Sequence, residues 1–174
     1  HLKSGIGNLG HRIVAQEDKV YVTMGFNAPV SALDSRTGKE LWVSDDSANA
    51  EELILQDGLL FCVINLAKES QSKHPYQSMS NYNRMLANKV SRKIIALDVK
   101  SGDKVWEHVP KTVLPLSLTV GEKGLFFHDS DSIVSLVPRT GKQQWRSEAV
   151  KYWQDLMLYS GVNLVLYRDI LLFS

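Results

Sequence analysis

The chain has 174 residues, of which 44% are hydrophobic and 22% charged, a composition that supports one sizeable core and excludes wholesale disorder. Its 20 basic and 19 acidic side chains leave a formal charge of +1, so no overall field marks it for nucleic acid or an acidic membrane surface. The single cysteine, Cys62, excludes an intramolecular disulfide and sits in the apolar run GLLFCVIN, where it reads as a small buried side chain. No stretch approaches the roughly 18–20 apolar residues that a membrane-spanning helix needs.

In chain order, residues 1–10 hold Gly5, Gly7 and Gly10 in the spacing GxGxxG. A dinucleotide site would need a strand before this motif and a helix after it, whereas the strand-like HRIVAQEDKVYV follows, so a flexible lead-in loop is expected. The segment also lacks the apolar centre of a secretion signal. Three runs rich in β-branched and aromatic residues come next, KVYVTMGF (19–26), GLLFCVIN (58–65) and KGLFFHD (123–129). Each is preceded by a turn pair, Glu17-Asp18, Asp57-Gly58 or Gly121-Glu122, and each is predicted as an inner strand after a tight turn. Between and after them stand three copies of one signature ending in tryptophan: SALDSRTGKELW (31–42), IALDVKSGDKVW (95–106) and VSLVPRTGKQQW (134–145). The last stretch, VNLVLYRDILLFS (162–174), has two apolar runs around Arg168-Asp169 and predicts the start of another unit.

The spacing of the signatures defines a repeat. Trp106 and Trp145 are 39 residues apart, close to one four-stranded propeller blade, while Trp42 and Trp106 are 64 apart. The excess matches the polar stretch 67–91, which is predicted as an insertion within one blade. The expected blades run over about 11–47, 51–110 and 112–148, with a further one opening at about 154–174. Within the signature, Asp34 is placed to accept backbone N–H groups two and three residues on, Thr37 adds a hydroxyl, and Gly38 supplies the positive φ that closes a hairpin with a bulge. The tryptophan then lies on the outer strand, and small Ala32 or Ala96 leaves room for its ring to join one blade to the next.

The pattern A-x-D-x-x-[TS]-G-x-x-x-W resembles the tryptophan-docking motif of the pyrroloquinoline-quinone-type (PQQ-like) β-propeller repeats. That superfamily includes the quinoprotein alcohol dehydrogenases and the propeller lipoprotein of the bacterial outer-membrane β-barrel assembly machinery. Ala32, Asp34, Thr37, Gly38 and Trp42 match, as do Ala96, Asp98, Ser101, Gly102 and Trp106. The third copy keeps Thr140, Gly141 and Trp145 but has Ser135 for alanine and Val137-Pro138 where the aspartate should stand, so its turn must be held another way. The resemblance implies an all-β propeller of four-stranded antiparallel blades, here about three and a half of them, completed by remaining blades or other domains. It also implies an extracytoplasmic, periplasmic setting in a bacterium.

No catalytic, cofactor-binding or metal-binding residue is assigned. In family enzymes adjacent cysteines lie against the quinone, a tryptophan floors it and oxygens hold calcium; this chain has no cysteine pair, and Trp153 reads as an inter-blade plug rather than a floor. Quinone and calcium therefore belong only to an alternative reading, a quinoprotein alcohol dehydrogenase or an accessory propeller of a larger enzyme. His11, His74, His108 and His128 show no metal-ligand spacing, although residues from separate blades can meet at a central channel. Glu122, Asp129 and Asp131 have the setting of turn carboxylates. The insertion is the most individual feature: residues 67–93 carry Lys68, Lys73, Arg84, Lys89, Arg92 and Lys93 against Glu69 alone, a balance of +5. Tyr76 and Tyr82 lie there too, with Met79, Leu86 and Val90 spaced as on a short helix from near Ser80. Long loops on a rigid scaffold often carry recognition, so the sequence predicts a non-catalytic binding or scaffolding domain that presents 67–91 to a protein or domain partner.

Overall fold

The computed structural model describes residues 11–25, 27–66, 91–150, 164–168 and 170–173. The first sheet is β1 (Ile13–Gln16), β2 (Lys19–Thr23), β3 (Val30–Asp34) and β4 (Glu40–Ser44). The second is β5 (Ala50–Gln56), β6 (Leu59–Asn65), β7 (Arg92–Asp98) and β8 (Lys104–His108). The third is β9 (Thr119–Gly121), β10 (Gly124–His128), β11 (Ile133–Leu136) and β12 (Gln143–Arg146), and β13 (Leu164–Tyr167) pairs with β14 (Ile170–Phe173). All are antiparallel meanders, and the runs expected as inner strands are β2, β6 and β10, each the second strand of its sheet. The architecture is all-β, with the stacked four-stranded sheets of a partial β-propeller. Asn65 pairs with Arg92, and Leu66 N–H donates to Ser91 O at 3.0 Å, so the chain leaves the second sheet and returns to it around residues 67–90.

Alternation along the strands builds two cores. One face of the second sheet (Leu60, Cys62, Ile64, Ile95, Leu97) meets Tyr21, Val30 and Ala32 of the first. Its other face (Leu59, Phe61, Val63, Ile94, Ala96, Trp106) meets Val113, Leu118, Leu125, Phe127 and Leu136 on the side of the third. Cys62 is fully buried, and that burial pushes its thiol up, which leaves it an inert core side chain.

Each four-stranded sheet carries the same row of three side chains: Tyr21, Ala32 and Trp42, then Phe61, Ala96 and Trp106, then Phe126, Ser135 and Trp145. The small middle residue lets the indole lean across to the aromatic ring, with centroids 5.7, 5.8 and 5.7 Å apart and tilts of 41°, 43° and 41°. The far side of the ring meets the next sheet. Trp42 covers Gly102 and donates its indole N–H to Val99 O at 3.2 Å; Trp106 covers Gly141 and donates to Pro138 O at 2.8 Å. A β-bulge between Ala32 and Leu33, repeated at Ala96/Leu97 and Ser135/Leu136, sets the strand after each turn in register.

The turns close as the residues require. Asp34 Oδ1 accepts the Arg36 N–H (3.1 Å), the Thr37 N–H (2.8 Å) and the Thr37 hydroxyl (2.7 Å), and these bonds hold its carboxyl below the usual range. Asp98 repeats the two backbone bonds with Lys100 and Ser101. The third turn stands without a carboxylate because its own backbone suffices: Gly141 N–H donates to Val137 O (2.9 Å), as Gly38 does to Asp34 O and Gly102 to Asp98 O.

Two outcomes follow from this packing. At Gly102 an added methyl would lie 2.6 Å from Trp42 Cε3 with φ at +79°, whereas Gly38 has φ +69° and open space above it. Gly102→Ala should therefore cost about 2–4 kcal/mol and Gly38→Ala about 1 kcal/mol, read as urea-unfolding midpoints; equal losses would show that the indole does not confine the turn. His128 is fully buried, takes the Ser130 N–H on Nδ1 (3.1 Å), faces Val150 O through Nε2 (3.3 Å) and stacks on Phe173. Burial lowers its pKa below 6.5, so the neutral ring's stabilisation is present above about 6.5 and lost as pH falls through the lowered folded value. The thermal midpoint should drop between about pH 7 and pH 5, and His128→Asn, which keeps an acceptor for Ser130, should flatten that slope.

Candidate functional site

Because every sheet is a meander, its connections alternate between two ends. One end carries the signature turns, residues 35–39, 99–103 and 137–142, which are built alike and largely exposed. The other carries connections 24–29, 45–49, 66–91, 109–118 and 129–132, which differ from one another in length and composition. Most of the buried polar side chains lie at this second end, among them Ser47, Glu52, Asn65, Arg92, Ser117 and His128. Buried polar groups are costly unless partnered, so their concentration marks the end whose loops are held in fixed positions.

The second sheet builds the centre of this surface. A register shift between Ala50 and Glu52 makes Glu51 the extra residue of a β-bulge, and the two carboxylates reach different neighbours on the side facing the third sheet. Glu51 Oε1 accepts Asn65 Nδ2–H at 2.6 Å, and its Oε2 accepts Arg92 Nε–H at 2.7 Å. Asn65 and Arg92 are the paired residues on either side of the 67–90 excursion, so one carboxylate bolts both legs of its neck. The Arg92 side chain is only 4% exposed, and its Nη1 also donates to Val113 O (3.4 Å), which ties the neck to the connection entering the third sheet.

Equivalent side-chain bonds steady the neighbouring connections. Ser47 Oγ accepts the Val30 N–H (2.7 Å), Ser147 Oγ accepts the Ile133 N–H (3.0 Å), and Ser117 Oγ accepts the His128 N–H (3.1 Å). Asp129 is a turn carboxylate, accepting the Asp131 and Ser132 N–H groups while pairing with Arg146 at 2.9 Å; Asp131 pairs with Lys111 at 3.1 Å. Glu122 lies in the two-residue turn between β9 and β10, at the signature end.

The three described histidines sit in different surroundings. His11 is exposed, His108 is half-buried on an outer strand against Phe127 with its pKa lowered by burial, and His128 is committed as above. Among the described residues no group of three His, Cys, Asp or Glu side chains is placed to hold a metal. Glycines 5, 7 and 10, His74, Trp153 and the expected helix near Ser80 lie outside the described residues. Of the six cations counted with the insertion, Arg92 and Lys93 belong to β7 and are ion-paired, Lys93 with Glu107 at 3.1 Å. That leaves Lys68, Lys73, Arg84 and Lys89 against Glu69, a balance of +3. Sequence reasoning missed Glu51, Glu52 and Asn65; the only signal was a charged pair opening an otherwise apolar strand, EELIL.

Among the solved structures that the chain resembles in fold are three that span natural and designed proteins. The computationally designed Ika8 protein matches at TM-score 0.62 and 12% identity over 92% of this chain and 41% of that one. BamB from Moraxella catarrhalis matches at TM-score 0.56 and 15% identity over 93% and 45%. The quinohemoprotein alcohol dehydrogenase from Comamonas testosteroni matches at TM-score 0.50 and 18% identity over 79% and 20%. The chain thus spans less than half the length of each. No curated protein sequence matches it. Among the described residues no helix is long and apolar enough to cross a membrane. The sequence profile of the family described as outer membrane protein assembly factor BamB matches residues 3–151, and with this match and the repeated tryptophan rows the chain belongs to that family of PQQ-like β-propellers.

Proposed function

We propose that this chain is a non-catalytic scaffold of the bacterial cell envelope, acting outside the cytoplasm in outer-membrane protein assembly and binding a protein partner at its long-connection end. The observation that carries the reading is the neck of the 67–90 excursion, bolted by Glu51 to Asn65 and Arg92 and bonded on to Val113. A rigid stem under a long basic segment presents that segment at low entropic cost, and its surplus of cations favours an acidic partner surface. Repeats that spend their shared residues on joining sheets leave recognition to the parts that differ. The family description supports the assembly role, and the resemblance of the repeats to extracytoplasmic propellers supports the location.

Replacing 67–90 by a short Gly-Ser link between Leu66 and Ser91 should leave the urea-unfolding midpoint nearly unchanged, because the Leu66–Ser91 and Asn65–Arg92 pairs already close the hairpin. The same deletion should abolish in-cell photo-crosslinks to outer-membrane assembly proteins from a probe at the long-connection end, with a probe at Arg36 as the negative control. Unchanged crosslinking would refute the partner role of the segment. Dye-linked alcohol oxidation after addition of pyrroloquinoline quinone and calcium should be absent, and turnover would replace the scaffold reading with the dehydrogenase one.

A further inference from the structure

Glu52 lies beside the neck without taking part in it. It faces the third sheet, is 3% exposed, and the N–H groups of Leu116 and Leu118 point at its carboxyl. Its Oε2 is buried and, among the described residues, has no hydrogen-bond partner. The segment it touches is itself unusual. Leu116 follows Pro115 with φ +60°, a left-handed conformation that a leucine adopts at a cost, and the turn is closed by Ser117 N–H and Oγ–H donating to Leu114 O (3.2 and 2.7 Å). The same Ser117 hydroxyl takes the His128 N–H, and Leu114 N–H donates to His128 O at 2.9 Å, so residues 112–118 form the seam between the second and third sheets.

Among the described residues Glu52 has no counter-ion of its own. On its own strand Glu51 adds a like charge, and Arg92 of β7, the cation that acts on it among the described residues, already pairs with Glu51. Its partner on β6 is Val63, β9 contributes no ionisable side chain, and residues 112–118 contribute none. His11, whose carbonyl accepts the Leu53 N–H, is exposed on the side of the first sheet. Burial dominates and pushes the carboxyl up from 4.5 to about 8. With the folded value above the unfolded one, the protonated group stabilises the fold fully below about 4.5 and loses that contribution as pH rises through about 8.

We infer that protonated Glu52 is a pin holding residues 112–118, and through them the third sheet, against the second, and that its ionisation frees this seam. A carboxylate at this depth has water only if the Leu116 turn lifts away from β5. The strain at Leu116 favours that release, and Arg92, bonded to Val113 O, links it to the neck of the basic segment.

Urea titration at about pH 6.5 and pH 9.5 should show the folding equilibrium constant of the wild-type chain falling roughly thirty-fold more than that of Glu52→Gln, whose amide cannot ionise. Carbon-labelled methyl resonances of Leu116 and Leu118 should shift over the same interval in the wild type and stay fixed in the variant. Parallel losses in the two proteins, or methyl resonances that do not move in the wild type, would overturn the assignment. If Glu52→Gln does not fold, the wild-type methyl titration decides alone: a transition near pH 8 supports the pin and a flat response refutes it.

Discussion

The indole that leaves one sheet and lands on a glycine of the next is the contact on which this architecture depends. An aromatic pair adds about 0.5–1.5 kcal/mol beyond its buried area, but its geometric consequence is larger than its energy. Trp42 and Trp106 each have an aromatic ring of their own sheet on one side, a glycine turn of the next on the other, and an N–H pointing at that turn's carbonyl. Three conditions are then fixed at once: a small residue in the middle of the row, a glycine with positive φ, and a carbonyl three residues before it. A change to any one of them disturbs two sheets, which explains why the copies agree at these positions and differ elsewhere.

This constraint divides the molecule into two unlike ends. At the signature end the turns must accept a ring, so their sequence is used up by the joint. The opposite end is bound by no such rule. Its connections need only return the chain to the next strand, and they do so with a bend at 45–49 whose Ser47 hydroxyl takes the Val30 N–H, a bolted excursion at 66–91 and a strained turn at 112–118. The buried polar groups collect here because irregular backbone exposes N–H and carbonyl groups that no sheet ladder satisfies, and side chains from the strand ends supply the partners.

Much of this was legible in the sequence. The sheets, the interrupted repeat, the Asp34 and Asp98 turns and the role of glycine all follow from spacing and residue type. The third turn shows why a missing motif residue need not mean a missing structure: Asp34 and Asp98 reinforce a hydrogen bond that Val137 makes with its backbone alone. Less visible were Tyr21, Phe61 and Phe126, which sit under the indoles but lie in runs where any apolar residue fits the strand pattern. The basic excess was overcounted for a related reason. Charge sums along the chain cannot see that Arg92 and Lys93 turn back to Glu51 and Glu107, partners 41 and 14 residues away.

The carboxylates were the least legible of all, since Glu51 and Glu52 are neighbours with opposite fates. In an ideal strand adjacent side chains point to opposite faces, and one of the two would have turned toward the first sheet. The bulge removes that alternation and sends both to the side of the third sheet, where one finds an arginine and the other, among the described residues, backbone N–H groups. Periodicity cannot reveal a bulge that rests on a single extra residue, and composition cannot say which of two glutamates meets Arg92. The distinction matters for how the chain works. The ion-paired carboxylate bolts the neck of the basic segment, whereas its buried neighbour is the group on which the proposed pin of the seam rests. Rigidity and the capacity to yield are thus set side by side on one strand, at the end of the molecule that the repeat leaves free to vary.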